Sequence, residues 1–577
     1  MKTVNSPQET RLFDSYDPVL NERARQCLLD DWPGVFRHVI LELMPVDELG
    51  SHLHPTMGRP SKELYSMAGL ILLMEMKNWT KKEAVFQYCF NMAVHYALNL
   101  EPVAQNLCVR SLERYILKYE TEDLSAKVMH DVSLELVKVL DLKVDQQRLD
   151  STHIFSHMAD FGRTRLMGVA IKRFLAKVKQ FDTKGYKSLD DALRQRYAPS
   201  VYHLFGDTAK NKESRRLLRQ QVAEDMLALI QRFEEDSNHN NRDTYKVMKR
   251  IFYEQCEVQE DKVLVKAKPG GDIMQNPSEP DATRDGHKGP GYQAQLSETC
   301  NPENEVQLIL SALSQTAVES DPNALEPVLD DLKESNLLPD QLLVDASYSS
   351  DENVERAANA YCVELVGPVP SGSVSDEKAY CLNIDDFIID EETQEVIQCP
   401  AEHKPVSSVH DPKTGKTYTV MSASACGDCD YQGECPVKKC RDGYSFYHTA
   451  QSRRTAGRRR EEATDVFRER YRRRSGIEGT NSGLKRRTGL GQLRVRGAPR
   501  VFHTIYLKIT GWNILRASAC AKMREIVYQR ANMAVLWGHS LRFLVIISTN
   551  TTKTGPELVL KTVRSAFPNY LVLPAAA

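Results

Sequence analysis

The spacing of apolar residues changes period near residue 290, and this change constrains the fold more than any other feature of the chain. "GYQAQLSETC" and "EVQLILSALSQT" alternate or run apolar as strands do, and the turn-like "NPEN" (301–304) between them predicts an antiparallel hairpin. "NALEPVLDDLKES" has helical spacing, and "DQLLVDAS" reads as a buried strand. "SSDENVERAANAYC" opens another helix, with Ser349 and Glu352 spaced as a capping box. With the strand-like "QRLDSTHI" upstream, the order strand, hairpin, helix, strand, helix is an α/β plan.

The rest of the chain is read against this centre. In "GRPSKELYSMAGLILLMEMKNWTKKEAVFQYCFNMAVHYALNL" apolar residues recur every three or four positions, and Ser61 stands where it can cap the first helix. Residues 1–135 therefore predict a compact helical domain, either a DNA-binding helix-turn-helix or a plain bundle. Residues 140–366 make the first part of the α/β core, interrupted at about 155–265 by charged helical patterning such as "LMGVAIKRFLAKVKQF". From 367 to 450 the chain is rich in Gly, Cys and Tyr with short β-like pieces, as an inserted lobe would be. Helical pattern resumes near 461 in a basic segment, 451–530, followed by a tail, 531–577.

A length of 577 residues allows about three or four domains, and 41% hydrophobic with 27% charged residues excludes overall disorder. The polar opening "MKTVNSPQETRLFD" lacks the apolar region of a signal peptide. "MAVLWGHSLRFLVIIST" (533–549), broken by His539 and Arg542, reads as a core segment rather than a membrane span. Thirteen cysteines without a leader suit a reducing cytoplasm. The formal net charge of −2 hides an uneven distribution: residues 451–500 hold 16 Lys and Arg against 5 Asp and Glu. That patch fits a polyanion.

Within it, "SGIEGTNSGLKRRTGLGQLRVRG" (475–497) contains a single carboxylate, Glu478, with Arg474, Ser482 and Lys485 on the same helical face. Its glycines at 476, 479 and 483 each cost a helix about 1 kcal/mol, so tertiary packing must impose the helix. Asp150 and Asp345 close apolar, strand-like segments and are expected at strand ends. Two such aspartates and a helix glutamate form an oxygen-rich set suited to Mg²⁺. A pair of ions about 3.5–4 Å apart activates the attacking oxygen and stabilises the leaving one at phosphorus. The basic residues Arg472, Arg473, Arg474, Lys485, Arg486, Arg487, Arg494 and Arg496 flank Glu478 with few acids to pair them, and phosphate contact is the expected use. Lys288, in "GHKGPGY", is a further candidate. His153 and His287 are read as polar turn residues rather than general bases.

"RLDSTHIFSHM", "NPSEPDATRDGHKGPGYQAQLSETC", "LLVDASYSS" and "GIEGTNSGLKRRTGLGQLRVRG", in that order, resemble the DDE transposases of bacterial insertion sequences. The leading "GRPSKELYSMAGLILL" is similar to the helical N-terminal domain of the same group. The resemblance implies an RNase H-like core in which Asp150, Asp345 and Glu478 are the catalytic, Mg²⁺- or Mn²⁺-binding triad. It also implies a nucleoid-associated cytoplasmic enzyme that binds the terminal inverted repeats of its element as a homodimer, hydrolyses a phosphodiester and joins the 3′-OH to target DNA. Gaps of 195 and 133 residues between the three acids leave room for the two inserts. A non-catalytic DNA-binding descendant of such an enzyme, or a metal nuclease that cuts without joining, would share these motifs.

Cys426, Cys429, Cys435 and Cys440 are spaced C-x2-C-x5-C-x4-C, with Cys399, His410 and His448 nearby. Thiolates at such spacing can enclose a structural Zn²⁺ and help a lobe with little apolar core to fold. Likeness to the family's cysteine cluster picks out Cys399, Cys426, Cys429 and Cys435 as ligands.

Overall fold

The computed structural model describes residues 1–7, 14–206, 211–260, 262–370 and 382–532. The chain divides into two compact units. One comprises Met1–Leu142, Arg487–Gly489 and the stretch from His503 onward; the other comprises Lys143–Arg486 and Leu490–Phe502.

The first unit is helical. Its helix Leu64–Met76 is apolar on nearly all sides and correspondingly buried. Glu63 caps it, accepting hydrogen bonds from the Tyr65 and Ser66 amides. Ser61, expected in that role, stands too far ahead of the first turn and instead accepts from the Thr3 amide. Thr80 and Glu83 form a reciprocal capping box on Lys81–Phe90. The helix Ala498–Ser518 belongs to this unit from His503 onward. There Lys508 is buried against Glu75 at 3.0 Å, and a Cβ on Gly511 would lie 2.5 Å from Met76 Cβ. The expectation that 451–530 forms a single piece of the α/β core is therefore corrected: burying Ile505, Ile509 and Ile514 ties the chain beyond 503 to the N-terminal helices. Positions 533–577, including the apolar run 533–549, lie outside the described residues. Among the described residues no helix is long and apolar enough to cross a membrane.

The second unit is α/β. Its central sheet contains β1 (Gln146–Ile154), β2 (Gly289–Thr299), β3 (Ile309–Thr316), β4 (Gln341–Leu343) and β5 (Glu364–Val366), with Thr283–Asp285 also paired to β2. The spatial order is β3-β2-β1-β4-β5. The first three strands pair antiparallel, as the hairpin reading expects, while β4 runs parallel to both β1 and β5. Helix α1 (Asp321–Glu334) joins β3 to β4, and α2 (Asp351–Tyr361) joins β4 to β5. Ser350, not Ser349, caps α2 by accepting from the Asn353 amide. The Ser349 hydroxyl is drawn away to the Pro368 carbonyl.

Two bodies interrupt this plan. Between β1 and β2, the helices Arg163–Phe181, Lys212–Phe233 and Asp243–Gln255 surround a core that includes Phe174, Met226, Ile251 and Phe252. After β5, the strands Ser407–Asp411, Lys416–Met421, Lys438–Cys440 and Gly443–Thr449 form an antiparallel sheet. Phe387, Met421, Cys426 and Phe446 give it a small core of its own. Helix then begins at Ala450, capped by Thr449, and not near 461. That helix, "AQSRRTAGRRREE", buries no residue, so it offers no apolar period to read.

Candidate active site

Asp150 is the fifth residue of β1 and lies in mid-strand, because residues 151–154 continue the pairing with 292–295. This corrects the expectation of a strand end. Asp345 follows β4 by two residues, and its Oδ1 accepts hydrogen bonds from both the amide and the hydroxyl of Ser347. Glu478 lies in the first turn of α3 (Gly476–Thr488), so packing does impose a helix on this glycine-containing stretch.

The three carboxylates meet at one guanidinium. Arg474 Nη2 donates to Asp150 Oδ1 at 2.9 Å and stands 3.8 Å from Asp345 Oδ2, while Nη1 is 3.6 Å from Glu478 Oε1. Asn481, one turn into α3, donates to Asp150 Oδ2 at 3.0 Å. Burial pushes the Asp150 carboxyl above its ordinary range; Arg474 pulls it back, and the charge of Asp345 adds to the rise. The Asp150 side chain is 16% exposed and that of Glu478 70%, so the cluster opens to solvent from the helix side.

A second, buried layer fixes α3 to the sheet. Arg148 of β1 and Glu298 of β2 are register partners, joined from both Nε and Nη2 of the arginine at 2.8 and 2.6 Å. Arg148 Nη1 donates to the Arg473 carbonyl at 2.9 Å, and Thr480 Oγ1 donates to Glu298 Oε1 at 2.7 Å. Gly476 is required here, since a Cβ would lie 2.0 Å from Arg148 Nη1. A buried ion pair offsets its desolvation only when the remaining donors and acceptors are used, and here they hold the glutamate helix. On the opposite face Ser151, Gln295 and Tyr348 share a network with Asp321, whose charge also raises Asp150. The sequence reading missed Arg148, Glu298, Thr480, Asn481 and Asp321. Opposite charges inside two adjacent strand segments, "QRLD" and "LSET", were the available signal.

Of the basic candidates, Arg472, Arg473, Arg486, Arg487, Arg494, Arg496 and Lys288 are exposed. Arg473 donates to Gln146 Oε1 at 2.6 Å, and Arg474 is turned inward to the carboxylates. Lys485 is half-buried; burial lowers its pKa, Lys288 adds to the fall and Asp150 opposes it. His153 lies within β1 and is buried, not in a turn. In the cysteine lobe, Cys399, Cys426, Cys429 and Cys435 line one cavity of about 20 Å³ together with His403. Burial pushes the Cys426 thiol up to about 11, and the other three cysteines act in the same direction. Among the described residues no group of three or more His, Cys, Asp and Glu side chains forms a ready-made metal site.

Residues 398–517 match the family model described as "Transposase DDE domain". That stretch is similar to the transposase DDE domain. It carries Arg474, Glu478, Thr480 and Asn481 and the cysteines from 399 to 440, whereas Asp150 and Asp345 lie outside it. Comparison with curated proteins finds no match. Among solved structures, the chain is similar to the piggyBac transposase in a cryo-EM synaptic complex with hairpin DNA, at 9% identity and a TM-score of 0.21, over 72% of this chain and 77% of that one.

Proposed function

We propose that this chain is a DNA transposase of the insertion-sequence type, with the second unit as an RNase H-like catalytic core and Asp150, Asp345 and Glu478 as its metal-binding triad. The observation that carries the reading is the meeting of these three carboxylates, from β1, the end of β4 and α3, at a single cation, Arg474. The sheet order β3-β2-β1-β4-β5, with three antiparallel and two parallel members, supports the core assignment. The transposase DDE match over the glutamate segment supports the chemistry.

The residues suit a divalent metal: the donors are hard carboxylate oxygens, and a positive group already stands among them. Asp150, Asp345 and Glu478 would hold the ions; when bound, Mg²⁺ or Mn²⁺ activates the attacking oxygen and neutralises the leaving one. Ser347 and Asn481 orient the two aspartates, and the Arg148–Glu298 pair sets the height of α3 above the sheet. The exposed arginines and Lys288 would bind the phosphates of element ends and target DNA. In the cysteine lobe, Cys399, Cys426, Cys429 and Cys435 would hold a structural zinc; their common cavity supports that assignment.

The test is Mg²⁺-dependent cleavage and joining of labelled element ends. Glu478→Gln, nearly isosteric, should abolish cleavage and leave DNA binding intact. Loss of DNA binding with residual cleavage unchanged would reverse the assigned roles and reject the reading.

A further inference from the structure

Arg474 stands where a cation is wanted but is poorly satisfied as a permanent structural residue. It hydrogen-bonds Asp150, reaches Asp345 and Glu478 only at ion-pair distance, and leaves its buried Nε without a hydrogen-bond partner. A guanidinium held for structure characteristically pairs with one carboxylate through two parallel bonds. Arg148, by contrast, commits both Nε and Nη2 to one carboxylate, converging on Oε2 of Glu298. Asn481 is likewise half-used: its amide nitrogen donates to Asp150, and its buried Oδ1 has no partner. The site thus contains a shared cation and an idle oxygen beside the same aspartate. Arg474 also belongs to a short turn of 3₁₀ helix, Arg472–Ser475, with exposed backbone neighbours on both sides.

We propose that Arg474 is a placeholder cation, neutralising the three carboxylates in the metal-free protein, leaving them when a divalent ion binds, and then engaging a DNA phosphate. The proposal rests on the reading of the triad as a metal site. Its physical basis is charge: three converging carboxylates repel one another unless a positive group stands among them, and a guanidinium and a divalent cation repel each other there. One side chain then couples two binding events, so metal should tighten DNA binding and DNA should tighten metal binding by the same factor.

The experiment titrates Mn²⁺ calorimetrically into the metal-free full chain as wild type, Arg474→Gln, Arg474→Lys and Glu478→Gln. Binding of a labelled DNA duplex is measured in parallel, with and without Ca²⁺. Arg474→Gln should bind Mn²⁺ roughly tenfold more tightly than wild type, a size ordinary for coupled sites, with Arg474→Lys between them. Ca²⁺ should tighten DNA binding by a larger factor in wild type than in Arg474→Gln, and equal factors would overturn the coupling through Arg474. Equal or weaker Mn²⁺ binding by Arg474→Gln, while Glu478→Gln still weakens it, overturns the placeholder alone and makes Arg474 a fixed support. Absence of Mn²⁺ binding in every protein overturns the metal-site reading and the placeholder with it. If Arg474→Gln fails to fold, Arg474→Lys decides: tighter binding than wild type supports the placeholder, and equal or weaker binding overturns it.

Discussion

Arg148 and Glu298 face each other across β1 and β2 as register partners, and each sends its spare hydrogen-bonding capacity to the segment that carries Glu478. The helix that carries Glu478 is therefore referenced to the sheet by a charge pair with one member, Glu298, fully buried. Thr480→Val removes the donor to Glu298 and should cost about 1–3 kcal/mol. Arg148→Met strands a buried carboxylate and should cost about 3–5 kcal/mol, most of it recovered in Arg148→Met/Glu298→Leu. Denaturant unfolding of the three variants checks the order.

Gly476→Ala tests the same contact from the helix side. A Cβ placed 2.0 Å from Nη1 and 2.7 Å from Cζ of Arg148 cannot be accommodated unless the guanidinium moves. Although alanine is the better helix former, this substitution should lower both the melting temperature and Mn²⁺ affinity. Gly479→Ala, where nothing lies within 4 Å, should leave both unchanged or slightly improved.

Zinc in the cysteine lobe should announce itself by protons. Burial and mutual proximity keep the Cys426 thiol protonated at neutral pH, with its pKa near 11, and the Cys435 thiol is raised in the same way. Metal uptake must displace those protons. Titration of apo protein with Zn²⁺ in buffers of different ionisation enthalpy should show proton release, and Cys426→Ser with Cys429→Ser should abolish both release and bound zinc. No zinc in purified wild type would leave the four thiols as packing groups.

Acid sensitivity should reside partly in His503. Burial lowers its pKa from 6.5 to about 4, and neither ring nitrogen has a hydrogen-bond partner. A depressed pKa means that the unfolded chain binds the proton first. The contribution is complete above about pH 6.5 and is lost as pH falls towards 4, by up to about 3 kcal/mol. His503→Leu should flatten that part of the stability–pH profile. An unaltered slope between pH 6.5 and 4 would place the histidine in a wetter setting than its packing against Tyr119 implies.

The exposed arginines should act through phosphate alone. Arg472→Ala with Arg486→Ala removes two of these cations, so the log–log salt dependence of DNA binding should become shallower by about 0.9 per lost contact. Sequence preference should stay the same, because phosphate contacts carry no base information. Titrations at several salt concentrations on two unrelated duplexes measure both quantities.

The hairpin, α1, α2 and the helix around Glu478 were legible because each carries its own period or local charge signature. The interior side of the site was not. Gln293, Gln295, Ser297, Glu298 and Thr299 make β2 polar although all five are buried, and their meaning comes from partners up to 182 residues away. Asp150 was recognised from its neighbours in sequence, but its mid-strand position depends on pairing with β2. The inward turn of Arg474 depends on two distant aspartates. A helix such as Ala450–Glu462, held by a cap and charge pairs without burial, leaves only composition to read.

The first unit is discontinuous: residues 1–142 share it with the chain beyond 503. During synthesis its opening helices leave the ribosome long before the segment that lies against Met76. At about 5–20 residues per second, making the intervening chain takes on the order of 20–70 s. Throughout that interval, while the α/β unit is being made, the nascent N-terminal part must remain soluble with an unfinished apolar surface. Translation speed and chaperone supply thus become determinants of how much working protein a cell obtains. A circular permutant beginning just ahead of the helix Ala498–Ser518 would shorten the wait, because that helix and residues 1–142 would then be made in succession.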